Sequence, residues 1–212
     1  MDNSAANKSR DDDFANYFRQ FYEQLRMESE RGSTVVGAAF IEEALEKMLK
    51  ALLIASAEKD DELFKSSYSP LGSFSAKIDV AYRTGLISPK VRKSLHIIRD
   101  LRNDFAHLSL QINFDTQSVR DRIRNLFNLN KELFETLWQI LQHNFENLIV
   151  DNDSIHGIEN VLKNLGWKST YEVLISIIAA TLLAEKNRTP KIGVKLDIIN
   201  AIMGRSIFTF IV

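Results

Sequence analysis

The segment LRNDFAH, residues 101–107, sets Arg102, Asn103, Asp104 and His107 close together. A guanidinium stabilises negative charge and an imidazole moves a proton near neutral pH. An amide between them can orient either partner. The same residue types also make ordinary ion pairs and helix ends, so the geometry that carries them decides their meaning.

Helical spacing places the group. With Val91 as the origin and about 100° per residue, Leu95, Ile98, Leu101, Phe105 and Leu108 share one apolar arc, and Arg102 falls at about 20°, inside it. An arginine there is paired, snorkelling or facing another chain, because an unpaired buried guanidinium is costly. The commonest of these is a structural ion pair, for which Glu28, Glu30, Glu42 and Glu43 are available. His96, Asp100, Asn103 and His107 lie on the polar side. On a straight helix Arg102 and His107 are about 7.5 Å apart along the axis and about 140° apart around it. They form one site only if the helix ends near His107, or if a second copy of the helix packs alongside. His107 otherwise reads as an end-of-helix residue whose charge the helix dipole favours.

Other chemistries find little support. His96 and His107 are about 16 Å apart axially, too far for one metal ion. Glu42 and Glu43 point to different faces, so they do not form a carboxylate pair. There is no phosphate-cradling glycine loop, no G-x-S-x-G and no H-E-x-x-H. No metal site and no cofactor site is expected. Residues 90–124 hold a basic excess at Lys90, Arg92, Lys93, Arg99, Arg102, Arg120, Arg122 and Arg124, which reads first as a solvated face. VRDRIRNLF puts Arg120 and Arg124 on one face and turns Arg122 away, unlike a DNA-recognition helix.

The elements that must position the motif read as helices throughout. Phe14, Phe18, Phe21, Tyr22 and Leu25 recur at helical spacing, and residues 1–13 ahead of them read as disordered. After RGST, Ser33 or Thr34 can cap a long helix, VVGAAFIEEALEKMLKALLIASA, with Gly37, Ile41, Ala44, Leu45, Met48, Leu52 and Ala55 on one face. Glu43–Lys47 and Glu46–Lys50 form i,i+4 pairs on its outside. Ser73 caps FSAKIDVAYRT, and Gly85 is placed for its left-handed end. Ser88 as N-cap with Pro89 at N1 starts the motif helix. Thr116 opens VRDRIRNLF, and Lys131–Leu148 follows. VDNDS (150–154) reads as a boundary. Beyond it come IHGIENVLKNLG and STYEVLISIIAATLLAEKNR, the second opening with a capping box from Ser169 to Glu172. The terminal IFTFIV could form a strand or a packed tail.

Composition agrees with this class. The chain has 212 residues, with 8 Gly and 3 Pro, too few for the turns of a many-stranded fold. A net charge of −1 gives no global attraction to nucleic acid. The absence of cysteine removes disulfides, thiolate zinc sites and thiol nucleophiles, and suits the cytoplasm. The N-terminus lacks the apolar core of a secretory signal. The longest apolar run, VLISIIAATLLA (173–184), is shorter than the roughly 18 residues of a membrane span and reads as a buried helix.

Three segments in this order and spacing, ESERGSTVVGAAFIEEALEKML (28–49), SPLGSFSAKIDVAYRTGLIS (69–88) and LHIIRDLRNDFAH (95–107), resemble the mannitol-operon repressor (MtlR) family. The Pro-Leu-Gly turn into a helix followed by Gly-Leu-Ile is the most specific part. The resemblance covers roughly residues 15–150. It implies an all-helical bundle over 14–150, to which 151–212 add a helical extension, and a transcriptional repressor or co-repressor. With no helix-turn-helix signature, direct operator binding is not expected and regulation through a protein partner is. Locally, Arg102, Asn103 and His107 also resemble the R-x4-H signature of HEPN-type domains, helical bundles that often dimerise. That resemblance implies a homodimer whose paired motifs cleave RNA without metal. Arg102 would steady the phosphate, Asn103 would orient it, and His107 would act as general acid or base toward a 2′-hydroxyl.

Overall fold

The structure is a computed structural model and describes residues 3–107, 112–144, 158–186 and 189. Among these residues the regular elements are seven α-helices: α1 (Asn3–Arg26), α2 (Glu30–Leu52), α3 (Phe74–Arg83), α4 (Pro89–Ala106), α5 (Gln117–Leu129), α6 (Lys131–Asn144) and α7 (Ile158–Glu185). The chain is an all-α bundle, as its shortage of turn residues leads one to expect. The VDNDS boundary and the terminal IFTFIV lie outside the described residues.

Local signals explain most of the ends. Ser73 Oγ accepts from the Ala76 N–H at 3.2 Å, and Ser88 Oγ accepts from the Val91 N–H at 3.3 Å with Pro89 opening α4. The end of α3 is a Schellman motif. Gly85, at φ 76°, donates its N–H to Tyr82 O at 3.0 Å, and the Leu86 N–H reaches Ala81 O at 2.9 Å. Both expected surface pairs on α2 form, Glu43 with Lys47 at 2.6 Å and Glu46 with Lys50 at 2.7 Å.

Four local expectations are corrected. α2 ends at Leu52, short of Ala55. The cap of α2 is Ser29, whose hydroxyl accepts from the Gly32 N–H at 3.0 Å. RGST therefore lies inside the helix, and buried Ser33 and Thr34 donate back to Glu30 O. In α1 the helix starts at Asn3, ahead of the apolar pattern at Phe14 and within the stretch expected to be disordered. The capping box at Ser169 does not form, because the break lies at Gly166 (φ 73°) and Glu172 instead meets Lys168.

The largest revision concerns residues beyond 151. Far from being an appendage, α7 packs chiefly against α1 and α2, and its apolar residues belong to the same core as Phe18, Ile41, Leu45, Ile78 and Leu95. Val173 to Ala180 are buried without a break. α7 is long and apolar enough by length and composition to cross a membrane, but 67% of that apolar window is buried inside the bundle. It is the buried helix expected at 173–184. Each fully buried Leu or Ile contributes about 1.5–3 kcal/mol, so α7 is a major source of cohesion.

The approach of α7 to α2 depends on Gly37. A Cβ at that position would lie 2.9 Å from Ile175 Cγ2, which belongs to a stiff β-branched side chain. We therefore expect Gly37→Val to cost about 2–3 kcal/mol in urea unfolding, with a substantial part recovered when Ile175→Ala is added. If the double variant is no better than the sum of the single changes, the close contact is not the cause.

Candidate functional site

α4 presents the apolar arc read from the sequence: Leu95, Ile98, Leu101 and Phe105 are buried. Its end is fastened by tilted aromatic contacts and by side chains that cap or pair with its last turn. Phe105 meets Phe114 at 5.4 Å between ring centroids, and Phe114 meets fully buried Tyr171 of α7 at 5.3 Å. Arg31 of α2 donates to Ala106 O at 2.5 Å, satisfying one of the orphan carbonyls of the last turn. Glu30 accepts the Phe114 N–H at 3.0 Å, and Arg122 of α5 holds Asp104 at 2.5 Å. The helix stops at Ala106 because the chain at His107 turns extended (φ −71°, ψ 114°).

This fastening leaves three members of the motif at the surface. Arg102 is 40% exposed at its side chain and donates to Asn103 Oδ1 at 3.0 Å. Of the four candidate carboxylates, Glu42 is the one near it, at 3.9 Å. Arg102 thus has the ion-pair partner that its place in the arc suggested, held loosely by a side chain that snorkels to the surface. His107 is exposed, and its backbone N–H donates to Asn103 O at 3.3 Å. Because the helix ends one residue earlier, His107 is released from the angular separation that a straight helix would impose.

Glu42 is mainly committed elsewhere. Buried Lys77 of α3 sits 2.9 Å from Glu42 and 2.9 Å from Glu46, which also takes Lys50 at 2.7 Å. Burial works against the Lys77 charge, yet the hydrogen bonds it donates to both carboxylates hold its pKa above the ordinary lysine value. Burial likewise opposes the Glu46 carboxylate, and Lys50 and Lys77 overcome it and hold its pKa low. Three cations, Lys50, Lys77 and Arg102, therefore share two carboxylates. The surplus positive charge rests on Arg102, the most loosely held of the three. The sequence reading missed this cluster; the signal was Lys77 three residues after the N1 position of a short helix, on its apolar face.

The basic stretch 90–124 is largely occupied within the chain. Arg92 pairs with Asp79 at 2.7 Å and lies over the Tyr82 ring. That guanidinium is the main reason the Asp79 carboxyl is held below its usual range. Arg99 takes Asp100 and Ser75, Arg120 takes Asp115, and Arg124 takes Glu159. Arg120 and Arg124 share one face, both lying over Trp167, while Arg122 turns away to Asp104, as their spacing predicts. Among the described residues no group of three or more His, Asp or Glu is arranged to hold a metal ion.

A second charged group escaped the sequence reading. Glu172 of α7 is 1% exposed, with Lys168 Nζ 2.8 Å from its carboxylate and Ser33 beside it. Burial pushes this carboxyl above its ordinary range; Lys168, Ser33 and Arg26 oppose the shift without cancelling it. A carboxyl whose folded pKa is raised keeps its proton longer in the folded chain than in the unfolded one. Stability is therefore lost as pH rises through the ordinary carboxylate value of about 4.3 toward the folded one. We expect Glu172→Gln to remove this loss. The stability of the variant relative to the parent, from urea midpoints, should increase between about pH 4 and about pH 7. A difference that stays constant with pH would mean that burial does not shift this carboxyl, and one that reverses would mean that its partners hold it low.

No protein-family model matches the chain, and no curated protein or solved structure matches it either.

Proposed function

We propose that this chain is a cytoplasmic regulator of the mannitol-operon repressor type, acting through contacts with another protein and not by gripping an operator. The observation that carries this reading is the internal pairing of the basic stretch. A nucleic-acid surface needs free cations to displace counterions from phosphates. Here Arg92, Arg99, Arg120, Arg122 and Arg124 all have carboxylate partners in the same chain. α3 and α4 are consecutive helices joined by a short turn, but Arg92, near the start of α4, folds back onto α3 instead of reaching outward. What α4 leaves outward at its other end is Arg102, Asn103 and His107. The loosely held charge on Arg102 suits an acidic segment of a protein partner.

A second reading is favoured by the same exposure. An arginine, an amide and an imidazole at the surface of one helix end are the groups a metal-independent ribonuclease needs. Two copies of the chain would bring two such ends together. Arg102 would then balance phosphate charge, and His107 would take or give the proton of the 2′-hydroxyl.

One set of measurements separates them. For the regulator, the purified chain binds duplex DNA and RNA no more tightly than the non-specific range of about 10⁻⁶ M at about 0.15 M salt. RNA incubated with it in EDTA stays intact. In cells expressing the chain, the mannitol-operon transcript falls, and Arg102→Glu restores it. Sequence-specific DNA binding would contradict the proposal. Cleavage of RNA in EDTA, abolished by Arg102→Ala and by His107→Ala, would replace it with the ribonuclease.

A further inference from the structure

We propose that the apolar groove between the α3–α4 turn and the C-terminal end of α7 is the docking site for this chain's own residues from 190 onward. The groove is floored by Met48 of α2, Leu86 and Ile87 of the turn, Val91 of α4 and Leu182 of α7. Its volume of about 340 Å³ is enough for several aliphatic side chains. No motif residue lines it, so it is separate from the α4 end.

Three observations identify the occupant. First, Thr189 lines the groove, so the chain leaves α7 from the groove's own rim. Its N–H donates to Lys186 O at 3.2 Å, marking the last turn. Second, residue 190 is proline, which lacks the N–H needed to continue the helix and disfavours helical geometry at the residue before it. The sequence therefore disfavours a continuation of α7 past the groove. Third, the sequence that follows, PKIGVKLDI, alternates Ile192, Val194, Leu196 and Ile198 with Gly193, Lys195 and Asp197. An extended segment of this pattern has one apolar face. Lys191 and Lys195 are also opposite in sign to Glu185 on the rim. A segment tethered at the rim has an effective concentration in the millimolar range, so even weak apolar contacts keep it bound.

The absence of cysteine from the 212 residues provides a clean assay in the intact chain. Leu86→Cys places one thiol in the groove, and its alkylation rate is compared with the same cysteine in a chain carrying serine at 192, 194, 196 and 198. A contact of about 0.1 mM affinity against a millimolar effective concentration is closed about nine-tenths of the time, so the serine chain should react about tenfold faster. The difference should be independent of protein concentration. Peptide 190–212 added to the serine chain should restore slow alkylation, which it could not do if the substitutions had unfolded the protein. Equal rates in the two chains would overturn the proposal. So would protection that grows with protein concentration, since the occupant would then be the segment of a second copy.

Discussion

The burial of α7 between α1 and α2 is the contact on which the rest of this molecule depends. Its residues from Val173 to Ala180 have no exposed face, so they are satisfied only if two neighbouring helices cover them together. Gly37 lets α2 come close on one side. On the other side, Phe14, Phe18, Phe21 and Leu25 supply the apolar stripe of α1. A helix that sequence pattern assigns to an extension is therefore the centre of the fold, and the chain on either side of the 150–154 stretch shares one core.

That core also determines what the α4 end can do. Phe105, Phe114 and Tyr171 form a continuous aromatic path from the last turn of α4 to α7. With Arg31 on Ala106 and Arg122 on Asp104, the end is held from both α2 and α5. The rigidity comes from Leu101, Asp104, Phe105 and Ala106, not from Arg102, Asn103 and His107. Arg102, Asn103 and His107 are carried on a fixed support while contributing little to it, an arrangement suited to a surface that recognises something outside the chain.

Much of this was legible from the residues. Helical period, Ser and Pro at starts and Gly85 at an end follow from local backbone chemistry, and these agree with the structure. The α4 arc and the divergence of Arg122 from Arg120 and Arg124 were equally readable, because a single helix has a known geometry. Where reading failed, the deciding partner was distant in sequence. Ser33 and Thr34 looked like caps because their burial is invisible locally, whereas Ser29 takes the cap. Glu172 matched a capping box but lies in the interior, beside Lys168 and Ser33. Arg102 was expected in an ion pair and has one with Glu42, but Lys77, on another helix, holds the same carboxylate more closely. Side-chain pairing across helices is a property of packing, which spacing along one helix does not contain.

The most direct test of this account is the unfolding free energy of a chain carrying Arg102→Ala, Asn103→Ala and His107→Ala together, measured by urea titration. If the motif is a surface group spared by the fold, its loss costs less than about 1 kcal/mol, the range of exposed pairs. A loss of about 3 kcal/mol or more, typical of breaking a buried charge pair, would make these three side chains part of the framework and contradict this reading.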